Sequence, residues 1–194
     1  SRGLRSFNSI NIRKLNRTIN RHNARKAKRL LALWAQDPEL ALTKEKEWGN
    51  TMIEQVNNGQ WTTLLGERIV HDVLILLGQN PKKVTRKNGY EPDWECDDYM
   101  VEVKTSNWCV SGTAGEKVLG TFIKYQNIPE LYGKPLKIIC VANQEHELTY
   151  GKTKYFGDNI TPKTKQILQL ASSWGIEYLK FSDFVKPIMN ILEN

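Results

Sequence analysis

From Leu136 to Ala142 the chain reads LKIICVA, apolar but for one lysine. A short run of this kind is a strand covered on both faces, so it calls for a sheet with helices above and below it. The flanking sequence supplies them. Lys82 to Arg86, Tyr90 to Glu95 and Tyr99 to Thr105 read as three short strands, separated by the turn formers Asn88-Gly89 and Asp97-Asp98. Helices are expected from about Asn11 to Ala35, from Thr43 to Asn57 ending at Asn58-Gly59, and from Thr63 to Leu77 closed by Gly78. After the meander, Thr113 and Glu116 have capping-box spacing before a helical pattern that runs to Tyr125. Thr161-Pro162 opens another helix, Ile176 to Phe181 is a last strand, and Ser182 is expected to cap a final helix. The plan is α/β: a mixed central sheet with helices on both faces, preceded by a basic helical arm. With 194 residues the chain suits one core, which places the arm at 1–36 and a single domain at 37–194.

Charge is distributed unevenly. Residues 1–36 hold ten of the 28 Lys and Arg and no acid before Asp37, and the rest of the chain carries 18 bases against 21 acids. The net charge of +7 is therefore a property of the amino-terminal segment, as expected of an arm that meets a polyanion, with double-stranded DNA the leading partner. Arg13, Arg17, Arg21 and Arg25 recur at four-residue spacing along one face of the expected helix. Like charges at that spacing repel, so the arm should be frayed alone and ordered against phosphates or against the domain. Three cysteines without C-x-x-C spacing suggest neither a disulfide framework nor a zinc site and fit a reducing, intracellular setting. No apolar run approaches the length of a membrane helix, and no secretory leader opens the chain. The first residue is Ser rather than Met, which leaves the native amino terminus open.

The chemistry lies in the third expected strand. Its period of two sends Val101, Val103 and Thr105 to one face and Glu102 with Lys104 to the other. Asp93 stands on the preceding strand, where a hairpin through Asp97-Asp98 brings its carboxylate toward that of Glu102. Two adjacent carboxylates call for a cation, and oxygen ligands with retained waters describe Mg2+, as one or two ions. Asp93 and Glu102 are the expected ligands, with the Val103 backbone carbonyl a third. Lys104 has two open roles, at an attacking water or on the charge of the phosphate. Glu67 is flanked at helical spacing by Val70, His71 and Leu74, which puts an acid near a packed face. It is expected in the outer shell or at a second ion, with Arg68 as its alternative, purely structural partner.

The segment EPDWECDDYMVEVKT resembles the PD-(D/E)XK nuclease signature, with Pro92-Asp93 and Glu102-Val103-Lys104 in the motif positions and Glu67 matching the helical acid of that superfamily. The order of elements between Thr43 and Phe181 is similar to its core. Within the superfamily, GTAGEKVLGTFIKYQNIPELYG followed by PLKIICVA looks most like type II restriction endonucleases. The resemblance implies hydrolysis of both DNA strands at a short specific site, leaving 5′-phosphate ends. It does not cover the basic arm. A structure-specific repair or recombination nuclease on the same core is the nearest rival, and a DNA-binding protein without catalysis is the rival of another class. A palindromic site would favour a two-fold homodimer.

Other features point less far. Asn107, Lys117 and Gln126 follow the catalytic strand and are candidates for base contacts, with a plain connecting loop the equal alternative. Glu116 is explained by capping. His22, His71 and His146 are scattered, Gly112 and Gly115 lack a phosphate-loop ending, and Trp34, Trp48 and Trp61 are expected in the core.

Overall fold

A computed structural model of the chain describes residues 2–51, 61–105 and 114–193. Its centre is a four-stranded sheet of β1 (Trp94–Glu95), β2 (Met100–Lys104), β3 (Leu136–Cys140) and β4 (Ile176–Lys180), in that spatial order. β1 and β2 are antiparallel, whereas β2, β3 and β4 run parallel, so the sheet is mixed. Helices α1 (Arg2–Gln36), α2 (Pro38–Asn50) and α3 (Trp61–Leu76) precede it. The crossover from β2 to β3 holds α4 (Ala114–Lys124) and α5 (Ile128–Tyr132), and that from β3 to β4 holds α6 (Asn143–Tyr150) and α7 (Pro162–Ser173). Two short helices, α8 (Phe181–Phe184) and α9 (Met189–Glu193), end the described chain. Among the described residues no helix is long and apolar enough to cross a membrane.

Alternation along the strands divides the core into two layers. Val101, Val103 and Ile139 join α1, α2, α3, α8 and α9 in one cluster, while Met100, Leu136, Ile138, Cys140, Ile176 and Tyr178 join α4, α5 and α7 in the other. β3 is central, flanked by strands on both edges and by helices on both faces, which is why its sequence is almost wholly apolar.

Residues 17–36 of the basic segment are built into the first layer. Ala24, Ala27, Leu30 and Trp34 are buried at three- and four-residue spacing against α2 and α3. The α1 charges ride on the flanks of this narrow seam of small and apolar side chains. Trp34 and Trp48 are core residues, as expected. Trp34 Nε1 donates to Glu45 Oε2 at 2.7 Å, tying α1 to α2.

Several expected elements differ in extent. α2 starts at Pro38 rather than Thr43, because Asp37 caps it by accepting from the Leu40 amide at 3.1 Å and Pro38 fits the first turn. The Asn58-Gly59 stop lies outside the described residues. The strand expected over Lys82 to Arg86 is reduced to single bridges, Lys82 with Glu95 and Lys87 with Tyr90. The Asn88-Gly89 turn between the latter pair is as expected, both residues having positive φ. Thr161 caps α7 through the Thr164 amide, as anticipated. Ser182 caps no helix: its amide and hydroxyl both donate to Glu145 on α6, and the expected final helix is broken into α8, a 3-10 turn over Lys186–Ile188 and α9. The α6 helix was not anticipated at all.

Candidate active site

β2 positions the central residues. β1 begins only at Trp94, opposite Val101, so the edge of β2 beyond that pair has no neighbouring strand. The Val103 amide turns instead to the side chain just before β1, donating to Asp93 Oδ2 at 2.7 Å. The N–H and C=O of one strand residue leave on the same side, so the Val103 carbonyl opens on this edge as well. One residue earlier on β2, Glu102 is 6% exposed, and its Oε1 accepts from Lys104 Nζ at 2.6 Å. Among the described residues Glu102 Oε2 is buried with no hydrogen bond of good geometry, the Tyr125 phenol being the group that approaches this carboxylate.

Glu67 enters from α3. Gly66 makes the approach close: a Cβ there would collide with the Thr105 methyl and lie 3.2 Å from Val103 Cγ1. The Glu67 carboxylate pairs with Lys83 Nζ at 3.2 Å, and its backbone carbonyl accepts from Trp94 Nε1 at 3.2 Å. Arg68, the alternative structural partner, pairs instead with Asp72 at 3.4 Å, so the countercharge on Glu67 comes from Lys83 in the segment after the helix.

Two of these acids, Asp93 and Glu102, are perturbed. Burial, then the Glu102 charge, then that of Glu67 push the Asp93 pKa up to about 8, against the pull of the Val103 amide and Lys104. Burial likewise raises Glu102, opposed first by Lys104. The site is short of positive charge, which is what a cation would supply. Among the described residues no group of three or more His, Cys, Asp or Glu side chains is placed to hold a metal ion by itself. The donor set is an open one: Asp93, Glu102 with its orphaned oxygen, and a strand-edge carbonyl. Magnesium is held in such settings by one or two carboxylates and its own waters.

The sequence reading missed four participants. Lys83 pairs with Glu67 and sits 4.2 Å over the Trp94 ring. Lys124 lowers the Glu102 pKa, and the Tyr125 phenol is pushed up by burial and then by the charges of Glu102 and Asp93. Tyr125 closed an expected helical pattern and looked like simple packing. α4 is fastened where it can present both residues: Tyr178 Oη donates to the Val118 carbonyl at 2.6 Å and accepts from the Phe122 amide at 3.3 Å. Tyr178 stands in register with Ile138 and Glu102 across the sheet.

Of the expected DNA contacts, Arg17, Lys117 and Gln126 are exposed and Arg21 is half-buried. Arg25 is committed elsewhere, donating to the Leu192 and Ile191 carbonyls at 2.9 and 3.4 Å. The Arg13 side chain and Asn107 lie outside the described residues, as do Thr113 and the Glu116 side chain. No protein family, curated protein or solved structure matches the chain.

The raised carboxyls make a prediction about stability. Between the ordinary carboxylate pKa and about 8, the folded chain keeps a proton on Asp93 that the unfolded chain has released, so stability falls as pH rises through that window. Each such group contributes a slope of up to about 1.4 kcal/mol per pH unit. In EDTA the melting temperature should fall from mildly acidic pH to pH 8, and magnesium should raise it more at the alkaline end, where the ligands are deprotonated. Calorimetry with and without the metal reads this directly; an equal magnesium effect at both ends would count against a carboxylate-held ion.

Proposed function

We propose that this chain is a magnesium-dependent endonuclease that hydrolyses phosphodiester bonds of double-stranded DNA at a short specific sequence. The observation that carries this reading is the carboxylate pair of half-buried Asp93 and buried Glu102, with Glu102 Oε2 unpartnered among the described residues, beside the Lys104 ammonium. Mg2+ bound there would neutralise the pair and polarise the scissile phosphate. The protein's own groups have separable tasks. The Val103 amide fixes Asp93 through Oδ2, and Lys104 holds Glu102 through Oε1 while keeping an ammonium at the mouth of the site. With Lys104 27% exposed, its charge can meet a phosphate oxygen or orient the attacking water. Glu67, held by Lys83, orders water around the pair. The basic α1 supplies attraction for a polyanion.

Incubation of the full chain with plasmid DNA, with and without magnesium, beside a Lys104→Ala variant tests the proposal. Discrete fragments that require the metal and disappear in the variant are expected. Cutting confined to branched or nicked substrates would favour the repair and recombination reading, and binding without cleavage under any divalent metal would leave a DNA-binding protein.

A further inference from the structure

A groove between α1 and α3 lies beside the carboxylate site, one of its lining residues, His71, packing on Trp94. A cavity of about 520 Å3 lies between α1 and α3, lined among others by Arg17 and Ile19 from the first helix and by Arg68, His71 and Ile75 from the second. Among the described residues no carboxylate lines it. The one acid nearby, Asp72, is fully buried and acts as a strut: it accepts from Asn23 Nδ2 at 2.6 Å and lies 3.4 Å from Arg68 Nε and 3.2 Å from His71 Nδ1. This fixes the Arg68 and His71 side chains at the groove wall. Arg17 is exposed and forms no ion pair among the described residues, and one turn along α1 the Arg21 Nε is buried without a hydrogen-bond partner.

The groove abuts the candidate site. The His71 ring packs on Trp94 with centroids 4.7 Å apart, and Trp94 follows Asp93 and binds the Glu67 carbonyl. Arg68 is the residue after Glu67. One helix, α3, therefore presents an acid to the site and, about 100° around its axis, a guanidinium to the groove. A phosphodiester chain passing the carboxylates would meet the Arg68 and Arg17 guanidinium groups in this groove, with Ile19 and Ile75 exposed enough to meet sugar faces.

We propose that the α1–α3 groove seats the DNA backbone flanking the scissile phosphate, with Arg17 and Arg68 as the phosphate-binding residues. This rests on the nucleic-acid reading above but not on catalysis. The groove is tested by fluorescence anisotropy with a short labelled DNA duplex in EDTA, where binding is read without cutting, across a series of salt concentrations. Each phosphate contact contributes about 0.9 to the slope of log K against log salt. Arg17→Ala should lower the slope by about 1, and Arg17→Ala combined with Arg68→Gln, which keeps a donor for Asp72, by about 2, with affinity down on the order of tenfold or more at moderate salt. Lys163→Ala, an exposed change on α7 across the sheet, should leave the slope unchanged. The single Arg17 substitution disturbs no bond and keeps the test valid if the double variant melts early. Unchanged slope and affinity in both variants would overturn the groove and leave the nuclease reading standing. A groove-dependent slope in a protein that cuts no DNA with magnesium would uphold the groove and overturn the nuclease reading. Failure of the wild-type chain to bind the duplex would overturn both.

Discussion

Asp93→Asn should abolish magnesium-dependent cleavage while leaving a protein that is more stable than wild type in EDTA at pH 8. The side chain is nearly isosteric, and its oxygen can still accept from the Val103 amide, so the strand edge keeps its geometry. What disappears is one of the charges that would hold a divalent cation. Losing a charge aimed at the reacting centre typically lowers turnover by a factor of about 100 to 1,000, and losing a metal ligand by at least that. The gain in stability follows from the same charge. Burial and the neighbouring Glu102 and Glu67 raise the Asp93 pKa, so the folded state bears an unfavourable anion at alkaline pH that asparagine removes. Cleavage assays and thermal melts of the same preparation read both effects. Retained cleavage, or a lower melting temperature in EDTA at pH 8, would contradict the assignment of Asp93 as a strained metal ligand.

Gly66→Ala should destabilise the fold by about 1–3 kcal/mol, the usual cost of overpacking, and should also lower cleavage. Helix propensity alone predicts the opposite sign, because alanine is favoured over glycine in a helix interior by about 1 kcal/mol. The collision with the Thr105 methyl decides the outcome: the added Cβ has no space unless Thr105 is forced into another rotamer against Val103 or α3 lifts from β2, and lifting α3 carries Glu67 away from Asp93. Gly120 on α4 is the matched control. No atom lies within 4 Å of a Cβ built there, so Gly120→Ala should follow propensity and stabilise. Chemical denaturation of the two variants side by side measures the contrast, and equal behaviour would mean that α3 does not need its close approach to the sheet.

What was legible in the sequence was local. The alternation of Val101 to Lys104, the apolar β3, the Asn88-Gly89 turn and the Thr161-Pro162 cap are each dictated by neighbours in the chain, and each is found. The Asp93, Glu102 and Lys104 cluster was legible for the same reason, being a hairpin with a known period. Elements specified by distant partners were not. α6 reads NQEHELTY, with no apolar stripe, yet Asn143, Gln144 and Glu145 are buried, Glu145 through its bonds to Ser182. The buried seam of α1 was masked because two of its members are alanines standing among arginines. Lys83, Lys124 and Tyr125 are invisible as site residues until the chain brings three separate segments to one carboxylate pair. The reading of Arg68 as the partner of Glu67 failed because adjacent helical residues point about 100° apart, whereas Asp72, four residues along, lies on the same side as Arg68.

The clasp between Arg25 and the Leu192 and Ile191 carbonyls bears on the order in which the molecule assembles. Its partners are 167 and 166 residues apart, and Lys28 meets Glu193 across 165. The guanidinium satisfies carbonyls at the end of α9 that the helix itself leaves open. The lock on α1 therefore closes only once α9 is in place. Contacts of such separation are slow to form, since the whole intervening chain must be ordered before they are rewarded. A chain lacking α9 would leave the α1 seam uncovered on that side.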